Sequence, residues 1–122
     1  MSVTTDELQA AVAKFVRERD WEQFHDVKNL SMAMCSEAGE LAGILRWKST
    51  SDAALLEVDA KQRDRIAAEL GDVGIIALAM CNRLGLSFSE VVSTKLRVNA
   101  ENYPADGTRG VADRDRWVAD GQ

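Results

Sequence analysis

Apolar residues recur along most of this chain at alternating steps of three and four, the spacing of helices that bury one face. Leu30, Ala33, Glu37, Glu40, Ile44 and Trp47 follow that spacing and form one such seam, with acids at two core-type positions. Residues 73–81 carry no polar side chain, which predicts a helix enclosed nearly all round. Strand-type alternation is almost absent, and the single proline, Pro104, comes late. The pattern predicts an all-α, four-helix bundle-like protein.

Helix boundaries follow from capping chemistry. Thr4 and Glu7 match a capping box, so the first helix runs over about 4–19. A short connection, 20–25, carries Trp21 and Phe24. The second helix runs over about 27–47 with Asp26 as N-cap, and the polar stretch 48–52 breaks it. The third starts near Asp59 and ends at Gly85, a residue suited to the left-handed C-terminal position. Ser87 and Glu90 form a second capping box, so the fourth helix covers about 88–102. Residues 1–104 form one domain, and 105–122 form a polar tail, mobile unless Trp117 docks on a neighbour. The second and third helices, closely connected, pack antiparallel and can turn their acids toward each other.

At 122 residues the chain builds a modest core that gains from oligomerisation. A formal charge of −5 argues against a nucleic-acid polymer as partner, although a small anion still binds where metal neutralises it. Cys35 and Cys81 lie in apolar segments without metal-ligand spacing and read as reduced, buried thiols of a cytoplasmic protein. The N-terminus lacks the basic start and apolar run of a signal peptide, and 73–81 is too short to span a membrane.

The chemistry lies in two acid pairs, Glu37 with Glu40 and Glu69 with Asp72, each three residues apart and therefore on one helix face. Unpaired carboxylates at core positions cost several kcal/mol each or protonate. Surface acids and structural salt bridges explain such spacing as well. Two pairs embedded in core instead favour a hard divalent cation, Mg²⁺ or Mn²⁺, and four carboxylates suit two ions better than one. Zinc and di-iron sites lack their histidines, since His25 stands alone and outside both pairs. Hard cations on carboxylates leave positions open for water and phosphate oxygens, which implies metal-assisted phosphoanhydride hydrolysis. Gly39 and Gly71, each just before the second acid of a pair, cost about 1 kcal/mol apiece in a helix and suggest two backbones in close approach.

Other residues extend the site. Phe88, Val92, Lys95 and Asn99 continue an inward stripe on the fourth helix, offering a cation and an amide to phosphate; a lysine snorkelling past the core is the competing reading. Trp21, Phe24, His25 and Trp47 can wall a stacked base, or the tryptophans can plug the core.

The segments RERDWEQFHDVKNL, SEAGELAGILRWKS, AAELGDV and KLRVNAENYP closely resemble the dCTP pyrophosphatase branch of the MazG-like, all-α NTP pyrophosphatases, over about residues 5–104. The resemblance implies a dimer-of-dimers homotetramer with Mg²⁺ on Glu37, Glu40, Glu69 and Asp72. It also implies a nucleotide pocket lined by Trp21, Phe24, His25 and Trp47, with Lys95, Asn99 and Tyr103 on the phosphate side. The implied reaction is cleavage of nucleoside triphosphates between the α and β phosphates, giving monophosphate and pyrophosphate in nucleotide-pool house-cleaning, with dCTP or modified dCTP as substrate. The implied mechanism is in-line attack of water on the α-phosphorus, oriented by Glu37 or Glu40. The chain departs from that pattern at Val12, where relatives carry histidine, at Ile76, where they carry tyrosine, and at Asn102, where they carry arginine. Those departures bear on base and sugar recognition. Other specificities (dUTP, broad NTP, phosphoribosyl-ATP) and a non-catalytic metal-binding interaction module are the competing functions.

Overall fold

A computed structural model describes residues 2–48 and 60–110. Every regular element among them is helical. The chain divides into two compact units, Met1–Ser89 and Glu90–Gln122.

In the first unit, α1 (Thr5–Glu18) opens on the expected box: the Glu7 N–H donates to Thr4 Oγ1, and the Thr4 N–H to the Glu7 carboxylate. It closes on Asp20, which takes a left-handed φ of 54° without being glycine. The Trp21 N–H reaches back to the Val16 carbonyl and the Asp20 N–H to that of Arg17, the paired bonds of a Schellman ending. Gln23 Nε2 donates to the Asp20 carbonyl at 3.0 Å, helping to hold a conformation that side chains resist. A single 3-10 turn, Glu22–Phe24, leads to α2 (Val27–Leu45), capped by Asp26, whose carboxylate accepts from the Asn29 N–H. Helix α3 (Ala60–Leu84) ends as the sequence predicts: Gly85 sits at φ 68°, with the Leu86 N–H donating to the Cys81 carbonyl.

The core is small. Val12 and Val16 of α1, Leu30 of α2, and Leu78 and Ala79 of α3 form one buried cluster, with Ile76, Met80 and Phe88 packed against it. Each buried Val or Leu contributes about 1.5–3 kcal/mol, so these side chains fix where the three helices meet. Leu30 packs at the level of Leu78, and Glu37 meets Glu69, so α2 and α3 run antiparallel. Gln9 adds a polar clamp: its Nε2 donates to Asn82 Oδ1 and to the Leu86 carbonyl, while its Oε1 accepts from the Phe88 N–H.

Three expectations need correction. Residues 73–81 are not enclosed all round: Leu78, Ala79 and Cys81 are buried, but Ile75 is 48% exposed, because α2 and α1 cover only part of α3. Cys35 is exposed rather than buried, its position falling about 160° round α2 from Glu37. A Cβ built at Gly39 or Gly71 would meet nothing within 4 Å, so no close backbone approach explains those glycines.

The second unit contains most of α4 (Phe88–Asn102) and α5 (Ala105–Thr108). Helix α4 covers the expected residues, and α5 forms after Pro104, within the segment read as tail. Trp117, Asp52 and Asp59 lie outside the described residues. Among the described residues no single helix is long and apolar enough to cross a membrane.

Candidate metal centre

The antiparallel pairing of α2 and α3 brings three of the four acids together. Glu37, Glu40 and Glu69 each offer an oxygen within 4.8 Å of the others. Glu37 and Glu69 are half-buried and Glu40 is exposed, so the cluster has a sheltered floor and an open mouth. The Oε2 atoms of Glu37 and Glu69 are hidden from solvent and receive no hydrogen bond. Two inaccessible, donor-less carboxylate oxygens within one acidic cluster call for a proton or a cation.

The Glu37 carboxyl shows the proton's version of that solution. Its pKa is pushed up from 4.5 to about 7, first by hydrogen bonding to Glu69, then to Glu40, then by burial, and finally by the negative charges of Glu40 and Asp72. Written as carboxylates, neither hidden oxygen has a donor; a proton on Glu37 supplies one. A divalent cation supplies the same charge to several oxygens at once, and the all-oxygen donor set fits Mg²⁺ or Mn²⁺. Asp72 stands outside the three-oxygen cluster and is exposed, near enough for its charge to act on Glu37.

The aromatic candidates take varied places. Trp47 is 86% exposed, with the Arg46 guanidinium 4.8 Å from its ring centre; within this chain it plugs no core. Trp21 is 44% exposed and packs edge-on against Phe15 at 5.7 Å, with Arg19 over the other ring. Phe24 is exposed and His25 half-buried. The stripe read as inward on α4 is not buried: Val92 and Lys95 are exposed, while Asn99 and Tyr103 are half-buried, the Tyr103 N–H donating to the Asn99 carbonyl. Val12 lies in the core and Ile76 packs against it.

A cavity of about 340 Å³, lined by Ala13, Val16, Glu22, His25, Ala79, Asn82 and Arg83, opens between α1, the 3-10 turn and α3. Its volume falls at the low end of small-ligand pockets. Of its lining, the sequence singled out His25, with Glu22 inside the same RERDWEQFHDVKNL segment. Glu22 and Arg83 lie far apart in the chain, and only the antiparallel register of α2 and α3 joins them; no local pattern announces such a grouping.

Comparison with known proteins aligns with this geometry. Residues 32–115, which span all four acids, match the model of the MazG-like family. The chain is 36% identical over 109 residues to dCTP pyrophosphatase 1 of Mus musculus, covering 89% of this chain and 64% of the mouse protein. It is 34% identical over 102 residues to dCTP pyrophosphatase 1 of Homo sapiens, covering 84% of this chain and 60% of the human protein. The chain therefore spans less than two thirds of the length of these curated relatives. Among solved structures it is similar to a pyrophosphatase from Archaeoglobus fulgidus, with a TM-score of 0.75 and 29% identity over 85% of this chain and 95% of that one.

Proposed function

The chain belongs to the MazG-like family, and on that footing we propose that it is a Mg²⁺-dependent pyrophosphohydrolase that splits nucleoside triphosphates between the α and β phosphates. The observation that carries this reading is the pair of hidden, donor-less oxygens on Glu37 and Glu69, within a cluster that includes Glu40. Carboxylates used only as surface charge would be solvated. The names of the mammalian relatives support dCTP, with its modified forms, as the substrate.

In this reading Glu37, Glu40 and Glu69 hold the cation, and Asp72 joins them, with Mn²⁺ an acceptable substitute. When bound, the cation neutralises phosphate charge and makes water an effective nucleophile at neutral pH. Glu37 or Glu40 orients that water toward the α-phosphorus. The water oxygen bonds to the α-phosphorus as the bond from that phosphorus to the αβ-bridging oxygen breaks in line; pyrophosphate leaves with the bridging oxygen, the monophosphate keeps the water's oxygen, and a proton is released. Trp47, exposed at the opposite end of α2 from Phe24 and His25, is free to stack on the base of a nucleotide held by another copy of the chain. Trp21, Phe24 and His25 contribute to the nucleoside pocket, and the family resemblance alone supports Lys95, Asn99 and Tyr103 as phosphate ligands. The cavity beside His25 starts at Ala79, two turns or about 10 Å beyond Asp72 on α3, which suits a nucleoside whose phosphates lie at the acids.

A homotetramer is part of the proposal. Met32 on α2 is 62% exposed, and Leu70 and Ile75 on α3 are 54% and 48% exposed. Apolar surface on the helices that hold the acids favours covering by further copies.

The test is a panel of nucleoside triphosphates with pyrophosphate release as readout, with Mg²⁺ and with a chelator. The expected result is release that needs the cation and is fastest with dCTP or a 5-modified dCTP. Cation binding without release from any triphosphate would instead mark a non-catalytic interaction module.

A further inference from the structure

Basic side chains stand on the acids' own face of α3. Lys61, Arg65, Glu69 and Asp72 follow one another at steps of four, four and three within this helix. At 100° per residue, Lys61, Arg65 and Asp72 fall within about 40° of one another, on the same flank of Glu69. Arg65 is one turn, about 6 Å, from Glu69 along the axis, and Lys61 one turn further. Helical side chains lean toward the helix N-terminus, so the Glu69 and Asp72 carboxylates reach over the turn that Arg65 occupies.

Both cations are exposed, and among the described residues neither makes an ion pair or hydrogen bond. Arg65 stands at the favourable four-residue spacing for pairing with Glu69, yet Glu69 Oε2 receives no donor. A guanidinium beside a carboxylate cluster, engaged with none of it, is available to a ligand that brings its own oxygens. Its planar fork matches phosphate better than an ammonium does. Arg63 makes an internal comparison, because its position falls about 160° round the helix from Arg65.

Resting on the reading of the acids as a triphosphate site, we propose that Arg65, with Lys61 beyond it, is the seat of the leaving pyrophosphate. The triphosphate then runs from Glu37, Glu40 and Glu69 toward the start of α3, and the nucleoside runs the other way, toward the cavity at Ala79 and His25. This gives the bound nucleotide a direction along the helix. Arg65 accordingly favours the separated, more highly charged pyrophosphate over the esterified chain.

The experiment is calorimetric titration of inorganic pyrophosphate, with Mg²⁺, into the wild-type chain and into Arg65→Ala, Arg65→Lys and Arg63→Ala, with circular dichroism to verify folding. Arg65→Ala is expected to weaken pyrophosphate binding about tenfold or more, the loss of one charge-assisted contact. Arg65→Lys is expected to recover part of that loss, and Arg63→Ala to change affinity less than about twofold. Equal losses in Arg65→Ala and Arg63→Ala would overturn the proposal, since only general charge would then be at work. Titration involves no turnover, so the two readings separate. Triphosphate hydrolysis with Arg65-independent pyrophosphate binding removes only the seat; Arg65-dependent binding without hydrolysis supports the seat and removes the hydrolase.

Discussion

Replacing Gln9 with alanine tests how the first unit is held together. Its side chain makes three hydrogen bonds across long stretches of sequence: to Asn82 Oδ1 at 3.0 Å, to the Leu86 carbonyl at 2.7 Å, and from the Phe88 N–H at 2.9 Å. A fourth, from Asn82 Nδ2 to the Gln9 carbonyl, belongs to the backbone and survives the substitution. A net hydrogen bond contributes about 0.5–1.5 kcal/mol. The Leu86 carbonyl lies where water can replace the lost donor, so its bond counts at the low end. The two part-buried bonds count nearer the middle, and the sum is about 2–3 kcal/mol. Set against a typical total of about 5–15 kcal/mol, that loss is readily measured by urea unfolding with an unchanged m-value. Gln9→Glu refines the test: a carboxylate still accepts from the Phe88 N–H but sets an oxygen against the two acceptors that Nε2 served, so at neutral pH it should recover none of the loss seen in Gln9→Ala. A loss below about 0.5 kcal/mol for Gln9→Ala would mean that the clamp is decoration and that apolar packing alone joins α1 to α3.

Other expected outcomes concern the acids and the aromatics. Glu69→Gln should lower turnover by orders of magnitude with helix content unchanged, and should stabilise the cation-free protein, because its amide can donate where Glu69 cannot; near-normal turnover would take Glu69 out of the site. For pH, the raised pKa of Glu37 means that the folded chain holds a proton which the unfolded chain releases above about 4.5. The associated stability is complete below 4.5 and is lost as pH rises through about 7. In a chelator, the thermal midpoint should therefore fall over that interval for the wild type relative to Glu37→Gln, and the stabilisation given by Mg²⁺ should grow; parallel profiles would contradict the coupling. Trp47→Ala should leave folding stability nearly intact, given its exposure, and weaken binding of a non-hydrolysable triphosphate by about 1–3 kcal/mol. Unchanged affinity in calorimetry would remove Trp47 from base recognition.

Much of this architecture is legible in local chemistry. Thr4 with Glu7, Asp26 and Gly85 mark helix ends because caps act over three or four residues, and the structure realises all three. The convergence of Glu37, Glu40 and Glu69 follows from two helical acid pairs and an antiparallel connection. Periodicity states which face is apolar, however, and says nothing of what covers it. Cys35 and Ile75 were read as interior and are exposed, because among the described residues of the first unit the core is built where α1, α2 and α3 meet and does not reach the far sides of α2 and α3. The Gln9 clamp was not legible, since a glutamine near the start of a helix carries no sign of a carbonyl far along the chain. Arg65 was given no role from the sequence, because its significance depends on the absence of an ion pair with Glu69 and not on its spacing.

The meeting of Glu37 with Glu69 also determines where this chain can tolerate insertions and deletions. Adding one residue inside α2 between Leu30 and Glu37 would swing the carboxylate about 100° around the axis, out of reach of its counterparts. Residues added between Lys48 and Ala60 fall outside both helices that carry the acids and would leave the pairing register untouched. Homologous chains that keep this chemistry should therefore differ freely in the span that links the acid pairs and conserve spacing to the residue on either side of it.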